Sequence, residues 1–393
     1  MSEMHAGRRK FIGTAATLAA AYGLQPGNAF AYEKNAPPLT LVASSPHLWN
    51  AVALMHSGRM FVGMPRWPGF TDTFSVAELL PSGELKPYPG GGWNDYPTTG
   101  PDPIKSGAVD LTKTWVCVNT IHAFDGVTLW VLDQGANAID SGSDVPGSQK
   151  LVQIDTRTDK VIRVLTFGHD ILPPGSGLND LRIGGGKIYM TDSGLGAIVI
   201  VDLATGKAIR RLADDPSTKA DPHRPKIGRY GHWLTLADGT PQVTNADPIE
   251  LTADHRWLYY QAASGPLYRI ETRYLLDTAM SEKTLGTKVE YVYDTPTLGG
   301  TAMDTKGNIY LAESYRPRIS VLSPDGTLRT LIEDDRLVGA DALLISPDRH
   351  LYIPMSQVPN LQFVQGPNGK DLRTRPFEIY KLPLPARYGN LIP

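Results

Sequence analysis

The chain has 393 residues, a formal net charge of −2 and 20% charged residues, and this near-cancelling balance excludes the basic footprint of a nucleic-acid binder. Hydrophobic residues make up 41%, with 39 Gly and 32 Pro, which excludes a disordered or membrane-embedded chain and leaves a turn-rich globular one. A single cysteine, Cys117, excludes an intrachain disulfide; within the apolar run 115–118 it reads as a small core residue.

At the N-terminus, Arg8-Arg9-Lys10-Phe11-Ile12 precedes a short apolar run, 12–24, and then Ala29-Phe30-Ala31. A charged region, an apolar stretch too short to span a bilayer and an A-x-A site describe an export signal. Paired arginines followed by an aromatic describe the twin-arginine type, whose export machinery carries folded proteins. Residues 1–31 are therefore expected to be removed. A single domain, 32–393, would remain, periplasmic or secreted and without a membrane span.

Residues 37–38 end a linker, and 39–43 form a strand with no partner nearby in sequence. From there one unit recurs six times. Its second strand carries an aromatic in an apolar run: Phe61, Trp130, Tyr189, Tyr259, Tyr310 and Tyr352, at intervals of 69, 59, 70, 51 and 42 residues. A Gly/Asp/Ser turn precedes each aromatic, as in an antiparallel hairpin. Ten to twelve residues upstream of each lies a short polar or small residue: Asn50, Asn119, Asn179, Asp247, Gly300 and Asp341. The clearest copy is 178–194.

Short-strand repeats of this length predict a β-propeller, all-β and six-bladed. Predicted strands run 50–54, 59–62, 74–79 and 85–88 in blade one, and 115–118, 128–132, 151–155 and 161–165 in blade two. Blade three is the 178–194 hairpin with 197–203 and 208–212. Blade four is 247–251, 258–262, 267–270 and 289–293, with a helical turn at 274–280. Blade five is 300–303, 308–312, 318–322 and 328–332. Blade six has only 342–345, 351–354 and 377–382, so the orphan strand 39–43 is expected to complete it and close the ring, removing two exposed sheet edges. The insertion 213–242 is expected to cap one face, and 89–103, which carries Trp93, to form a surface loop.

In a propeller the innermost strand of each blade lines a central channel, so the polar residues at those strands can converge on one mouth. Asn and Asp offer short oxygen ligands, and a ring of them suits a hard divalent cation such as Ca²⁺. The candidate metal ligands are Asn179, Asn245, Asp247, Asn50 and Asn119; Asp180 and Asp247 are the candidate catalytic carboxylates. His122, Asp341 and Trp93 are candidate substrate contacts, and His122 or His232 could serve as a general base. Asn and Asp at strand starts also bind their own backbone in turns, which is the role expected of Asp133, Asp192 and Asp202. The six aromatics are expected to pack between blades. No H-E-x-x-H motif, Cys pair or G-x-S-x-G elbow is present.

The chain resembles the bacterial members of the major royal jelly/yellow protein family. The likeness rests on Ser57-Gly58-Arg59-Met60-Phe61-Val62 with Pro65-Arg66-Trp67, and on Pro87-Tyr88-Pro89 leading to Trp93-Asn94. It continues in Leu129-Trp130-Val131-Leu132-Asp133, Leu178-Asn179-Asp180, Tyr189-Met190-Thr191-Asp192-Ser193-Gly194, Ile200-Val201-Asp202-Leu203 and Leu351-Tyr352-Ile353-Pro354-Met355-Ser356-Gln357. The resemblance implies a six-bladed propeller and kinship with gluconolactonase-like calcium lactonases. Those look to a Glu on blade one, Asn on blades three and four and Asp on blade five. Here blade three offers Asn179 and blade four Asn245 or Asp247, whereas Asn50 stands where the Glu is expected and Gly300 where the Asp is. The expected function is hydrolysis of lactones or related small esters. The alternatives are a non-catalytic binder of a small aromatic or amine, and a scaffold that binds another protein.

Overall fold

Alternation of apolar and polar residues between glycine-rich turns makes each repeat a meander of four antiparallel strands, and six such sheets form the fold. The computed structural model describes residues 31–32, 37–67, 70, 73–97, 107, 109–135 and 147–392. The expected signal, apart from Ala31, lies outside them.

The sheets follow one another in chain order. Their inner strands are Ala51–Leu54, Val118–His122, Leu178–Gly184, Ala246–Leu251, Leu298–Met303 and Leu344–Ile345. Each inner strand lies beside that of the next blade, except that the blade six to blade one contact runs through His350–Pro354. The last sheet is completed from the other end of the chain: Thr40–Ser45 pairs antiparallel with Phe377–Pro383 as its outermost strand, which closes the ring. In blade five, Ala31–Tyr32 adds a short parallel pairing outside Leu328–Glu333.

The core is distributed around the ring. Among the described residues, each pair of neighbouring blades shares one apolar cluster. Phe61, Trp130, Tyr189, Tyr310 and Tyr352 all lie buried in these clusters, where they fill the wedge between sheets. In blade four Tyr259 is half-buried against the cluster between blades four and five, while Tyr260 is buried in the cluster between blades three and four, its hydroxyl 2.7 Å from Ser217 Oγ of the insertion.

Two local expectations need correction. Blade two does not begin at 115–118. The Asp133 carboxylate accepts the main-chain N–H of Val116 and Cys117, which holds that segment off the ladder, and the inner strand starts at Val118. Trp93 is not a surface residue either. It is 8% exposed and packs on Trp115 with ring centroids 4.3 Å apart, while Asn94 beside it caps the third strand of blade one through the N–H of Ser75. The expected helical turn in blade four is two short helices, Thr272–Leu276 and Glu282–Gly286.

Candidate functional site

In blades two to five the inner strand slips register against its neighbour, and the slip falls on the residues singled out by the repeat. It lies between Val118 and Thr120, Leu178 and Leu181, Ala246 and Ile249, and Leu298 and Thr301. A bulge frees a residue from the ladder and re-aims its side chain. Asn119, Asn179 and Asp247 sit in these bulges; Asn50 and Asp341 lie just before their own strands. All five line one cavity of about 300 Å³ at one mouth of the channel. Blade five has glycine, Gly300, at the repeat position, and reaches the cavity instead through Leu298 and Ser314. A Cβ on Gly299 would lie 2.1 Å from Ala340 O, and one on Gly300 would lie 2.8 Å from the Asp341 carbonyl, so glycine there lets the Asp341 segment of blade six approach.

The amides are oriented by their own hydrogen bonds. Asn50 Nδ2 donates to Asn119 O at 2.9 Å, and Asn119 Nδ2 donates to Asn179 O at 3.0 Å and to Asn179 Oδ1 at 3.1 Å. A main-chain carbonyl can accept but not donate, so the amide end facing it must be the NH2, and these contacts fix which end of the first two amides is oxygen. Asn50 Oδ1 is then buried with no hydrogen-bond partner, on a residue 3% exposed. An acceptor buried without a donor costs on the order of 1–3 kcal/mol, and a cation would relieve it. This donor set of amide and carboxylate oxygens fits a hard divalent cation. Among the described residues no group of three or more His, Cys, Asp or Glu is placed to hold a metal, so such a cation would rest mainly on amide oxygens.

The two carboxyls in the ring are both pushed up. Burial raises Asp247 to about 7, with Lys226 pulling down and Asp180 pushing further up. Burial likewise raises Asp341 to about 8, against the 2.8 Å hydrogen bond from Ser356 Oγ and with a push from Asp247. Asp247 makes no side-chain hydrogen bond or ion pair among the described residues. Both side chains are half-buried in the wall, so desolvation is their common cause.

A second, charged layer lies further along the same strands, with His122, Arg182 and Glu250 each three residues past a ring position. His122 Nε2 is 2.7 Å from Asp180 Oδ1; Arg182 bonds Asp180 Oδ2 at 3.0 Å and Glu250 Oε1 at 2.7 Å; Thr301 Oγ1 donates to Glu250 at 2.7 Å. These residues come from blades two to five and none lines the cavity. Asp180 is therefore ion-paired rather than available as a base: burial opposes its charge, but Arg182 and His122 outweigh that and hold it at about 2. His122, stacked on Phe124 at 5.2 Å, belongs to the same network rather than to the cavity wall. Reasoning from the repeat missed Arg182 and Glu250. The available signal was a charged residue at the third place after Asn119, Asn179 and Asp247, since a bulge turns the usual two-residue spacing on one strand face into three.

Asn245 is also turned away from the cavity. Its amide accepts Ala220 N–H at 2.9 Å and donates to Gly194 O at 2.5 Å, tying the insertion to blade three. Trp93 lies in the core between blades one and two, away from the cavity. The insertion is a fixed wall: Lys219 bonds Leu195 O, Arg224 bonds Ser264 O at 2.5 Å, and Ile227 N–H donates to Thr297 Oγ1 at 2.9 Å. It brings Lys226, Leu234 and Gln242 to the cavity, with Trp67, Val243, Val358, Pro359 and Phe363 adding apolar surface. His232 is exposed and does not line it.

Fold and site together define a six-bladed propeller with an oxygen-lined, amphipathic cavity at one end of its channel. The chain matches the major royal jelly protein family over residues 107–333, more than half its length, and belongs to that family. None of the curated protein sequences matches it. Among solved structures it is similar to a luciferin-regenerating enzyme, at 10% identity and a TM-score of 0.52, covering 90% of this chain and 98% of that one. It is also similar to a gluconolactonase from Xanthomonas campestris, at 11% identity and a TM-score of 0.50, covering 92% and 99%. At these identities the likeness is one of fold. No helix among the described residues is long and apolar enough to cross a membrane.

Proposed function

We propose that the protein is a divalent-cation-dependent hydrolase of lactones or related small esters, acting at the cavity in the channel mouth. The observation that carries this reading is the convergence of Asn50, Asn119, Asn179, Asp247 and Asp341 from five blades on one cavity, with Asn50 Oδ1 left as an unpartnered acceptor. These residues would hold the cation, with Ca²⁺ the best match to their chemistry. When bound, the cation supplies a Lewis-acid field that polarises an acyl carbonyl.

The chain's own groups do the rest. The Asp247 side chain, with no hydrogen-bond or ion-pair partner among the described residues, would accept the proton of the attacking water. Hydrolysis then places the hydroxyl of that water on the acyl carbon as the acyl C–O bond breaks. The proton held at Asp247 passes to the departing alkoxy oxygen. The apolar residues of the wall seat the body of the substrate and exclude bulk water. The signal-like segment 1–31 adds the proposal that this chemistry takes place after export by the twin-arginine route. A fusion of 1–31 to a reporter that stays in the cytoplasm would remove that part.

The test is a thermal melt of chelator-treated protein with and without Ca²⁺, Mn²⁺ or Zn²⁺, followed by hydrolysis of a lactone and ester panel. A cation-dependent rise in Tm with turnover is expected. No shift and no turnover would discard the hydrolase. A shift with ligand binding but no turnover would support the second reading, a non-catalytic small-molecule binder, which the apolar wall also favours.

A further inference from the structure

Lys226 is the cation that the channel-mouth chemistry leaves unused. It comes from the insertion rather than a blade, yet it lines the same cavity as the five oxygen-bearing residues. Its position is fixed, because the segments around it are pinned through Lys219, Arg224 and Ile227 to blades three to five. The residue is half-buried, and its ammonium group donates once among the described residues, to Thr244 Oγ1 at 2.9 Å. Three donors are available on an ammonium, so two are left for a ligand.

Asp247 and Asp341 share the cavity with Lys226, but neither forms an ion pair with it. A charge taken part-way out of water without a paired counter-charge is costly, and structure alone gives no packing reason for it. With a divalent cation on the oxygen ring, one lysine and two carboxylates, the formal balance is positive by one charge. A cavity of that balance, whose ammonium has two donors left beyond Thr244, suits an anion. The remaining wall sets an apolar patch of Trp67, Leu234, Val243, Val358 and Phe363 beside hydrogen-bonding side chains such as Ser176, Gln242 and Ser356, which gives the body of a ligand an apolar seat.

We propose that Lys226 holds an anionic group of the ligand, so that the preferred substrates are carboxylated esters or lactones with an apolar or aromatic body rather than neutral sugar lactones. This rests on the hydrolase reading for its chemistry, though not for its binding. Lys226 acts as a specificity residue that docks the far end of the substrate while the acyl carbon faces the oxygen ring.

Phenyl acetate and 4-acetoxybenzoate share the same scissile ester and differ by one carboxylate, so the ratio of their kcat/KM values, in Ca²⁺-loaded protein, reads the contribution of that group. Wild type should favour 4-acetoxybenzoate, and Lys226→Met should lower the ratio by about tenfold or more, the usual worth of a charge-assisted hydrogen bond. Lys226→Arg should keep the preference, which a merely structural role would not predict. Raising NaCl should also erode the wild-type ratio, a measurement that needs no variant. A wild-type ratio at or below one, or one unmoved by both Lys226→Met and salt, overturns the proposal.

If no ester or lactone is turned over, the hydrolase reading fails by itself. The same comparison is then made with dissociation constants for 4-hydroxybenzoate and phenol, followed by calorimetry. A preference for the anion that Lys226→Met abolishes sustains the inference in a binding protein; equal constants overturn it.

Discussion

Asn50 in blade one donates its amide N–H to the main-chain carbonyl of Asn119 in blade two at 2.9 Å, and the bond leaves Asn50 Oδ1 buried with no donor. Asn119 repeats the gesture toward Asn179. The amides are thus braced by neighbouring blades, with the first oxygen in the row held as an unsatisfied acceptor beside the cavity. Preorganised oxygens of this kind bind a cation without first giving up bonds to one another.

Asn119→Ala tests this bracing directly. It removes one oxygen and the N–H that orients Asn179. The apo protein should lose on the order of 1 kcal/mol. Its thermal response to Ca²⁺ should fall far more, with turnover down at least about a hundredfold, as expected when a ligand or its support is lost. A full Ca²⁺ shift in Asn119→Ala, measured by melts across a Ca²⁺ titration, would place the cation elsewhere.

Asp341 gives a prediction with a definite sign. Burial raises its carboxyl to about 8, above the value of 3.8 for an exposed one, so the folded state binds this proton more tightly than the unfolded chain does. Its stabilising share is complete below pH 4 and is lost as pH climbs through 8. Asp341→Asn should therefore match wild type near pH 4 and be more stable at pH 8.5 in chelator, by on the order of 1–3 kcal/mol. Urea melts at the two pH values read this. Ca²⁺ affinity of wild type should rise over the same interval, since the cation competes with the proton.

For Asp180 the sign reverses. Its carboxylate is held at about 2 by Arg182 and His122 against the cost of burial, so its contribution to stability is present above pH 4 and disappears as pH falls toward 2. Asp180→Asn should cost on the order of 2–4 kcal/mol at pH 7, because it leaves Arg182 with one carboxylate in place of two, and the gap to wild type should close in acid. Were Asp180 the catalytic base instead, the substitution would abolish a limb of the pH–rate profile while leaving the melt unchanged.

The contrast between Asp180 and Asp247 marks how far the sequence could be read. The ring, its six-fold repeat and the convergence of Asn50, Asn119, Asn179, Asp247 and Asp341 were legible because each keeps a near-constant offset from a packing aromatic. The charged layer was hidden by the bulges, which shift the channel-facing residues from the second to the third place and so break the alternation that would have exposed Arg182 and Glu250. Lys226 could not be placed, since an insertion carries no repeat to fix its register. Trp93 misled for a related reason: a tryptophan among glycines and prolines reads as exposed, and only the packing of Trp115 against it shows that the loop folds back into the core.

Ring closure rests on Thr40–Ser45, the outermost strand of the last blade. Removing residues 37–45 strips Phe377–Pro383 of one partner along its length and opens a sheet edge. The expected loss is on the order of 3 kcal/mol or more across the whole transition, with concentration-dependent association through the free edge. A truncated chain with an unchanged melt by both circular dichroism and calorimetry would show that the ring holds without this strand.

Gly300 is the sharpest test of how blade six reaches the site. A Cβ there would lie 2.8 Å from the carbonyl carbon and oxygen of Asp341 and 2.9 Å from Ala342 N, all backbone atoms that cannot swing aside. Gly300→Ala should therefore push the Asp341 segment outward, at a cost of about 1–3 kcal/mol from overpacking. Because Asp341 moves with its backbone, the Ca²⁺ needed for half of the thermal shift should rise about tenfold or more, while the charged layer at Asp180 and Arg182 stays in place. If Gly300→Ala loses stability but keeps its Ca²⁺ response, Asp341 is not among the groups that hold the cation, and the ring reduces to Asn50, Asn119, Asn179 and Asp247.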